Sequence, residues 1–233
     1  MSCPDPLETQ RMQTAFTASL LLITISELGD KTFFIAVILA MRYPQRLVFA
    51  SVLAALALMT VLSVVLGQAV SLLPKIYTHY GAIALFLIFG AKLIYDASQM
   101  TAQSNAEIVH EAEETVETLD SSKAIAKLPI IGKFLNIMLL RYPWLGIGLQ
   151  AFMMTFLAEW GDRTQISTIA LAAAYNPVFV TIGAILGHGI CTAIAVLGGR
   201  LIAGKISERV ITAIGGLLFI IFGVTAYLQG VEP

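Results

Sequence analysis

The sequence predicts an all-α integral membrane protein whose six transmembrane helices form two inverted three-helix repeats. Three observations predict it. Hydrophobic residues make up 58% of the 233-residue chain and charged residues 12%, against roughly 45–50% and about 25% in an average soluble domain; the mean hydropathy is +0.83. Six apolar stretches approach the ~20 residues that a helix needs to cross a hydrocarbon core. Finally, Glu27-Leu28-Gly29-Asp30-Lys31-Thr32 returns 132 residues later as Glu159-Trp160-Gly161-Asp162-Arg163-Thr164, and each copy lies in the middle of an apolar stretch.

Taken in order, the first span runs from Gln13 to Met41, carries the first hexamer and ends at Arg42-Tyr43-Pro44. The second, Leu47–Ser71, is closed by Pro74-Lys75, and the third is Gly81–Ser98. Proline and polar pairs of this kind punctuate helices rather than continue them. The fourth span, Leu145–Tyr175, carries the second hexamer and ends at Asn176-Pro177. Val178–Gly199 and Val210–Gln229 follow, separated by Gly204-Lys205. The expected organisation is a first repeat over 1–98, a cytoplasmic linker with amphipathic helices over 99–144, and a second repeat over 145–233.

The linker has an acidic part, with Glu107, Glu111, Glu113, Glu114, Glu117 and Asp120, and a basic part from Lys123 to Arg141. Ile108, Ala112, Val116 and Leu119 fall at helical spacing, which predicts an amphipathic helix. It reads as a solvated connection between the halves, or as a regulatory or cation-collecting element; it lacks the ligand and glycine positions of an EF-hand loop. Ile130–Leu140 is apolar but too short to cross a bilayer, and Lys133 and Asn136 interrupt it. An interfacial helix fits it better.

The repeat extends beyond the hexamers. Leu85-Phe86-Leu87-Ile88-Phe89-Gly90 matches Leu218-Phe219-Ile220-Ile221-Phe222-Gly223, and Pro44 matches Pro177, both at an offset of 133, while Leu66-Gly67 matches Leu197-Gly198 at 131. Three spans per copy is an odd number, so the second copy must enter from the opposite side, which is inverted-repeat architecture. Arg42, Arg46, Lys123, Lys127, Lys133, Arg141, Arg200, Lys205 and Arg209 collect on one side; the side with both termini has Arg11 and Lys75. That bias places the central loop in the cytoplasm and both termini outside or in a lumen.

Charged side chains at membrane depth are costly and mark ion pathways. On a helix Glu27 and Asp30 share a face, as do Glu159 and Asp162. Bringing the two motifs together makes one cage of four carboxylates: Glu27, Asp30, Glu159 and Asp162 are the expected metal ligands. Gly29 and Gly161 permit either close helix approach or a break in the backbone ladder, and with a local break Thr32 and Thr164 would add hydroxyl oxygens. An all-oxygen site suits calcium, magnesium or manganese rather than zinc or copper. Four carboxylates against Lys31 and Arg163 leave a surplus of two negative charges, matched by one divalent cation or two protons, so metal and protons compete for the same oxygens. The alternative is a set of buried ion pairs holding the halves together, which would have to form across the repeats because sequence neighbours do not face each other.

Other polar residues at depth carry weaker signals. His188, between Gly187 and Gly189, reads as a proton relay or as a hydrogen-bonded packing histidine. Gln150 and Gln68 read as second-sphere oxygens or interhelical glue. Asp96 reads as interfacial, Trp160 as packing or a wall beside the site, and Thr155 stands one turn before Glu159, within reach of a hydrogen bond to it. The net charge of −1 argues against a nucleic-acid partner. Cys3 and Cys191 suggest no disulfide framework, and Asp5 and Glu8 stand where a signal peptide would be basic.

The doubled Glu-x-Gly-Asp-(Lys or Arg)-(Thr or Ser) signature, one copy in the first span of each half, resembles the family of yeast Gdt-one and human transmembrane protein 165, with its bacterial, cyanobacterial and chloroplast relatives. The resemblance covers essentially the whole chain and is nearest to prokaryotic or cyanobacterial-type members. It implies a secondary transporter that moves Mn2+ and/or Ca2+ out of the cytoplasm in exchange for protons, in a bacterial plasma membrane or a thylakoid membrane. It carries the metal role onto Glu27, Asp30, Glu159 and Asp162, with Gly29, Lys31, Thr32, Gly161, Arg163 and Thr164 as supporting residues. No catalytic residue and no resident cofactor is implied; divalent ions, protons and the bilayer are the partners, with a homo-oligomer left open. The other classes are a cation channel, which inverted repeats with mid-span breaks disfavour, and a membrane metalloenzyme, for which nucleophile and histidine ligands are lacking.

Overall fold

The computed structural model describes residues 6–100, 104–118, 142–202 and 208–230, and among them every regular element is an α-helix. In chain order these are α1 (Pro6–Glu27), α2 (Lys31–Arg42), α3 (Gln45–Val70), α4 (Lys75–Gln99), α5 (Ser104–Thr118), α6 (Pro143–Ala158), α7 (Arg163–Ala174), α8 (Pro177–Ile202) and α9 (Glu208–Gln229). Prolines stand at the start of several of them: Pro44 and Pro74 cap α3 and α4, and Pro143 and Pro177 open α6 and α8, where a missing N–H costs nothing.

Four helices are long and apolar enough to cross a membrane unaided: Gln45–Val70, Lys75–Gln99, Pro177–Gly198 and Arg209–Gln229. They match the second, third, fifth and sixth expected spans. The first and fourth are each two shorter helices, α1 with α2 and α6 with α7, interrupted inside the hexamers. The cause is local. Gly29 has φ 83° and Gly161 φ 81°, a left-handed conformation that ends a helix and that glycine adopts without a Cβ clash. Asp30 and Asp162 then cap the helices that follow.

The two pieces of each broken stretch share one neighbour, α8 for the first and α3 for the second, and otherwise pack on different helices. α1 lies on α7, α8 and α9, whereas α2 lies on α3, α5, α6 and α8. Two apolar clusters result. One gathers Phe33–Leu39 of α2 with Val48, Val52 and Leu56 of α3, Met154 of α6 and Cys191 of α8. The other gathers Leu22 of α1, Phe86 and Leu93 of α4, Ala170–Ala172 of α7 and Phe219 of α9. Each cluster draws on both halves of the chain, and the chain breaks separate them. Leu58, Val61, Val65, Ile88, Leu186, Leu197 and Leu217 point outward and exposed, an apolar exterior suited to lipid.

α4 and α9 meet almost backbone to backbone. A Cβ at Gly90 would stand 2.6 Å from Ile220, and one at Gly223 would stand 2.9 Å from Leu87. Small residues at such a seam replace the hydrophobic drive that lipid cannot supply.

α5 is the expected acidic amphipathic helix. Ala112 and Val116 are buried in the α2 cluster, so the stripe at helical spacing docks on α2 while Glu111 and Glu113 stay exposed. This part of the connection is packed rather than simply solvated. The remaining linker, including Leu119, Asp120, Ile130–Leu140 and Lys123 to Arg141, lies outside the described residues.

Candidate metal centre

Glu27 is the last residue of α1 and Glu159 caps α6 at its C-terminus. The side chains of both are buried, at 3% and 2% exposure. After each, three residues break the helical ladder, so Glu27 and Asp30 do not share one helix face; they sit on either side of a break. Asp30 Oδ1 accepts the Lys31 N–H at 2.8 Å. Asp162 is capped more fully: Oδ1 accepts the Gln165 N–H at 2.8 Å, and Oδ2 accepts the Thr164 N–H at 3.0 Å and its hydroxyl at 2.6 Å. The N-termini of α2 and α7 therefore begin at the site, where helix dipoles favour negative charge.

Three of the four expected ligands come together. Glu27, Glu159 and Asp162 each offer one oxygen, and all three atoms lie within 4.8 Å of one another. Oxygens around one hard cation at about 2.1–2.6 Å can be at most about 4.2–5.2 Å apart, so this spacing suits a single ion. The Thr32 hydroxyl donates to Glu27 Oε2 at 3.3 Å, and the Thr164 hydroxyl oxygen, its hydrogen given to Asp162, lies 3.5 Å from Glu159 Oε2. The chain thus contributes carboxylates from both hexamers to one buried spot.

Asp30 is held aside. Its Oδ2 lies 3.6 Å from Arg163 Nη2, a half-exposed pair across the two hexamers, beside a cavity of about 20 Å³ that Ser26, Leu93 and Thr212 also line. Lys31 turns outward, with Nζ 3.7 Å from Glu111 Oε2 of α5. Among the described residues, neither Glu159 nor Asp162 has a basic partner, and Glu27 meets only His188, whose Nδ1 is 3.7 Å from Glu27 Oε1. One of the cross-repeat ion pairs considered from sequence therefore exists, and it leaves the inner three acids unneutralised.

The remaining sequence candidates separate. Gln150 is buried on α6 but stands nine residues before Glu159, about 13 Å of helical rise, apart from the cluster. Gln68 donates to the Ala172 carbonyl at 2.8 Å, glue between α3 and α7. Thr155 makes no side-chain hydrogen bond to Glu159; its hydroxyl has no partner among the described residues. Trp160 is 63% exposed and packs on Phe156 at 5.5 Å. Cys191 is buried and, with Thr192 and Leu56, lines a cavity of about 10 Å³ beside Glu27.

Two residues carry roles that the sequence reading missed. Gln165 accepts the Gly161 N–H at 2.7 Å and donates to Met59 Sδ at 2.9 Å, fixing the second break to α3. The first copy has Phe33 at the matching place, so the repeat gave no hint of it. Glu111 sat in a run of acids that read as solvated.

One family model, described as divalent cation/proton antiporter GDT1, matches the chain over residues 15–101 and again over 147–233. The two matches start 132 residues apart (147 − 15), the offset of the hexamers. The chain is 53% identical over 216 residues to GDT1-like protein sll0615 of Synechocystis sp., covering 93% of this chain and 98% of that protein. It is 44% identical to GDT1-like protein 3 of Oryza sativa subsp. indica, covering 91% and 73%, and 41% identical to GDT1-like protein 5 of Arabidopsis thaliana, covering 93% and 96%. No solved structure matches significantly.

Proposed function

The chain belongs to the GDT1 family of divalent cation/proton antiporters, and from that premise we propose that it exports Mn2+ and/or Ca2+ from the cytoplasm in exchange for protons through one midplane site. The family consists of transporters, so an enzymatic role falls away. Glu27, Glu159 and Asp162 are the inner ligands in this reading, and Asp30 joins them when Arg163 lets go. The observation that carries it is the convergence of two buried carboxylates and a half-buried one from two chain breaks, with no Lys or Arg partner among the described residues. Such a charge surplus in a low-dielectric setting demands a cation or protons.

Exchange follows from exclusive occupancy. Metal needs the carboxylates ionised, and protons occupy the same oxygens, so each displaces the other. The two broken traverses and four intact spans make six crossings, and three per half give inverted repeats around a shared site. Rocking one half against the other would expose the site to each side in turn. The basic bias of the loops places the central loop in the cytoplasm and the termini outside or in a lumen, in a plasma or thylakoid membrane.

The test is reconstitution into liposomes with an imposed pH gradient, following Mn2+ and Ca2+ uptake together with lumenal pH. Uptake coupled to proton efflux is expected. Metal flux that moves no protons would leave a channel as the better account.

A further inference from the structure

Helix α8 reaches α1 more closely than side chains normally allow. A Cβ at Gly183 would collide with Ser19 Oγ and the Phe16 carbonyl, and one at Gly187 would lie 3.0 Å from the Leu20 carbonyl and Thr24 Oγ1. Glycines four residues apart form a flat stripe on a helix, and it lets the two backbones touch. The residue that follows the stripe is His188. Its ring is thereby delivered to the C-terminal end of α1, where Glu27 stands.

The resulting contact is unusual for a packing histidine. His188 Nδ1 and Glu27 Oε1 are 3.7 Å apart, with side chains 5% and 4% exposed. That is too long for a hydrogen bond, and neither atom has any hydrogen-bond partner among the described residues. Buried polar atoms are almost always satisfied. A nitrogen and an oxygen facing each other at this distance suit a bridging cation: with bonds of about 2.1 Å, a spacing of 3.7 Å corresponds to an angle of about 120° at the metal, between the cis and trans limits of roughly 3.0 and 4.2 Å. His188 stands outside the trio of oxygens that lie within 4.8 Å of one another and reaches it through Glu27 alone.

We infer that His188 is a nitrogen ligand of the transported cation and biases the site toward Mn2+ over Ca2+; this rests on the transport reading above. Calcium takes oxygen ligands almost exclusively and prefers longer bonds, whereas imidazole is a good donor to first-row transition ions. Replacing one oxygen position by an imidazole nitrogen therefore costs calcium more than manganese. The neutral ring binds metal through Nδ1 with the proton on Nε2. The bias is one-sided, since the residue 132 places earlier is Leu56, which offers no donor.

The test uses the full-length purified protein loaded with Mn2+ alone. Pulsed EPR of wild type should show modulation from a directly bound imidazole nitrogen, and H188Q should lose it. In proteoliposomes given Mn2+ and Ca2+ together, H188Q should lower the Mn2+:Ca2+ uptake ratio by about tenfold, as loss of a metal-orienting group typically does. H188N serves as the second variant if H188Q does not fold, judged by monodispersity. Nitrogen modulation absent from metal-loaded wild type, or an unchanged uptake ratio in a folded variant, overturns the assignment. If wild type instead moves no metal against protons at all, it is the transport reading that fails.

Discussion

Arg163 Nη2 lies 3.6 Å from Asp30 Oδ2, so the base of the second hexamer holds the acid of the first. The reciprocal pair, Lys31 with Asp162, is not made among the described residues; Lys31 reaches Glu111 of α5 instead. Two near-identical motifs are thus caught in different electrostatic arrangements. One has its aspartate at the centre and the other has it withdrawn, which is what a two-sided carrier needs in order to differ between its two orientations.

The first expectation follows from the inner ligands. Glu27→Gln and Asp162→Asn should each abolish metal-dependent proton movement, a loss of at least about tenfold, while the protein still purifies as a monodisperse species. Neither change adds volume, and each removes a charge that no Lys or Arg pairs among the described residues. Transport at wild-type rates in both variants would sink the shared site.

Metal affinity should fall with acidity. Binding requires ionised carboxylates, so protons are released as metal binds and each one costs up to about tenfold in affinity per pH unit. The sign is therefore weaker binding at about pH 5.5 than at about pH 8. Calorimetric titration with Mn2+ and Ca2+ at the two values measures it, and a flat affinity would point to a structural metal site.

Arg163→Gln should separate stability from transport. The pair with Asp30 is partly exposed, with side chains 38% and 26% accessible, and such pairs are worth about 0–1 kcal/mol. Thermal melting in detergent should accordingly move by no more than a few degrees, about the shift that such a small loss gives. Coupled uptake should fall much further, because Asp30 loses the group that withdraws it. A large Tm drop with normal transport would make Arg163 a structural residue.

Gly161→Ala tests the break itself. Nothing stands within 4 Å of the added Cβ, yet the backbone has φ +81°, so the penalty is conformational alone, about 1–2 kcal/mol. Relief of that strain would straighten α6 into α7 and swing Glu159 away from Asp162. Denaturant unfolding should register the loss, and uptake should drop with it. Undiminished stability and uptake would show that the left-handed turn is dispensable.

Much of this was legible in the chain. Composition and hydropathy locate the apolar helices because a bilayer-spanning helix needs little beyond length and apolarity. The hexamers locate the acids because charge at depth is costly. The breaks are harder to see, since Leu28 and Trp160 keep the hydropathy window apolar across them. The withdrawal of Asp30 is invisible for the same reason: spacing of three implies a shared face only on an unbroken helix. Docking of α5 needed the third dimension as well. Ala112 and Val116 announce an apolar stripe, but nothing in their spacing says that α2 is what it covers.

The seam between α4 and α9 has a consequence of its own. Gly90 faces Ile220 and Gly223 faces Leu87; both residues of each contact shift by 133 positions into the other. A surface on which i meets j while the counterpart of j meets the counterpart of i is isologous. Each half therefore carries a patch complementary to its own twin, and recognition between halves does not depend on the peptide that joins them. Cut between residues 118 and 142 and produced as two polypeptides, the chain should still assemble through this seam, with co-purification from one membrane as the readout. A tether that is unnecessary for assembly is free to diverge, which leaves the residues between the halves open to any control that the membrane's two faces require.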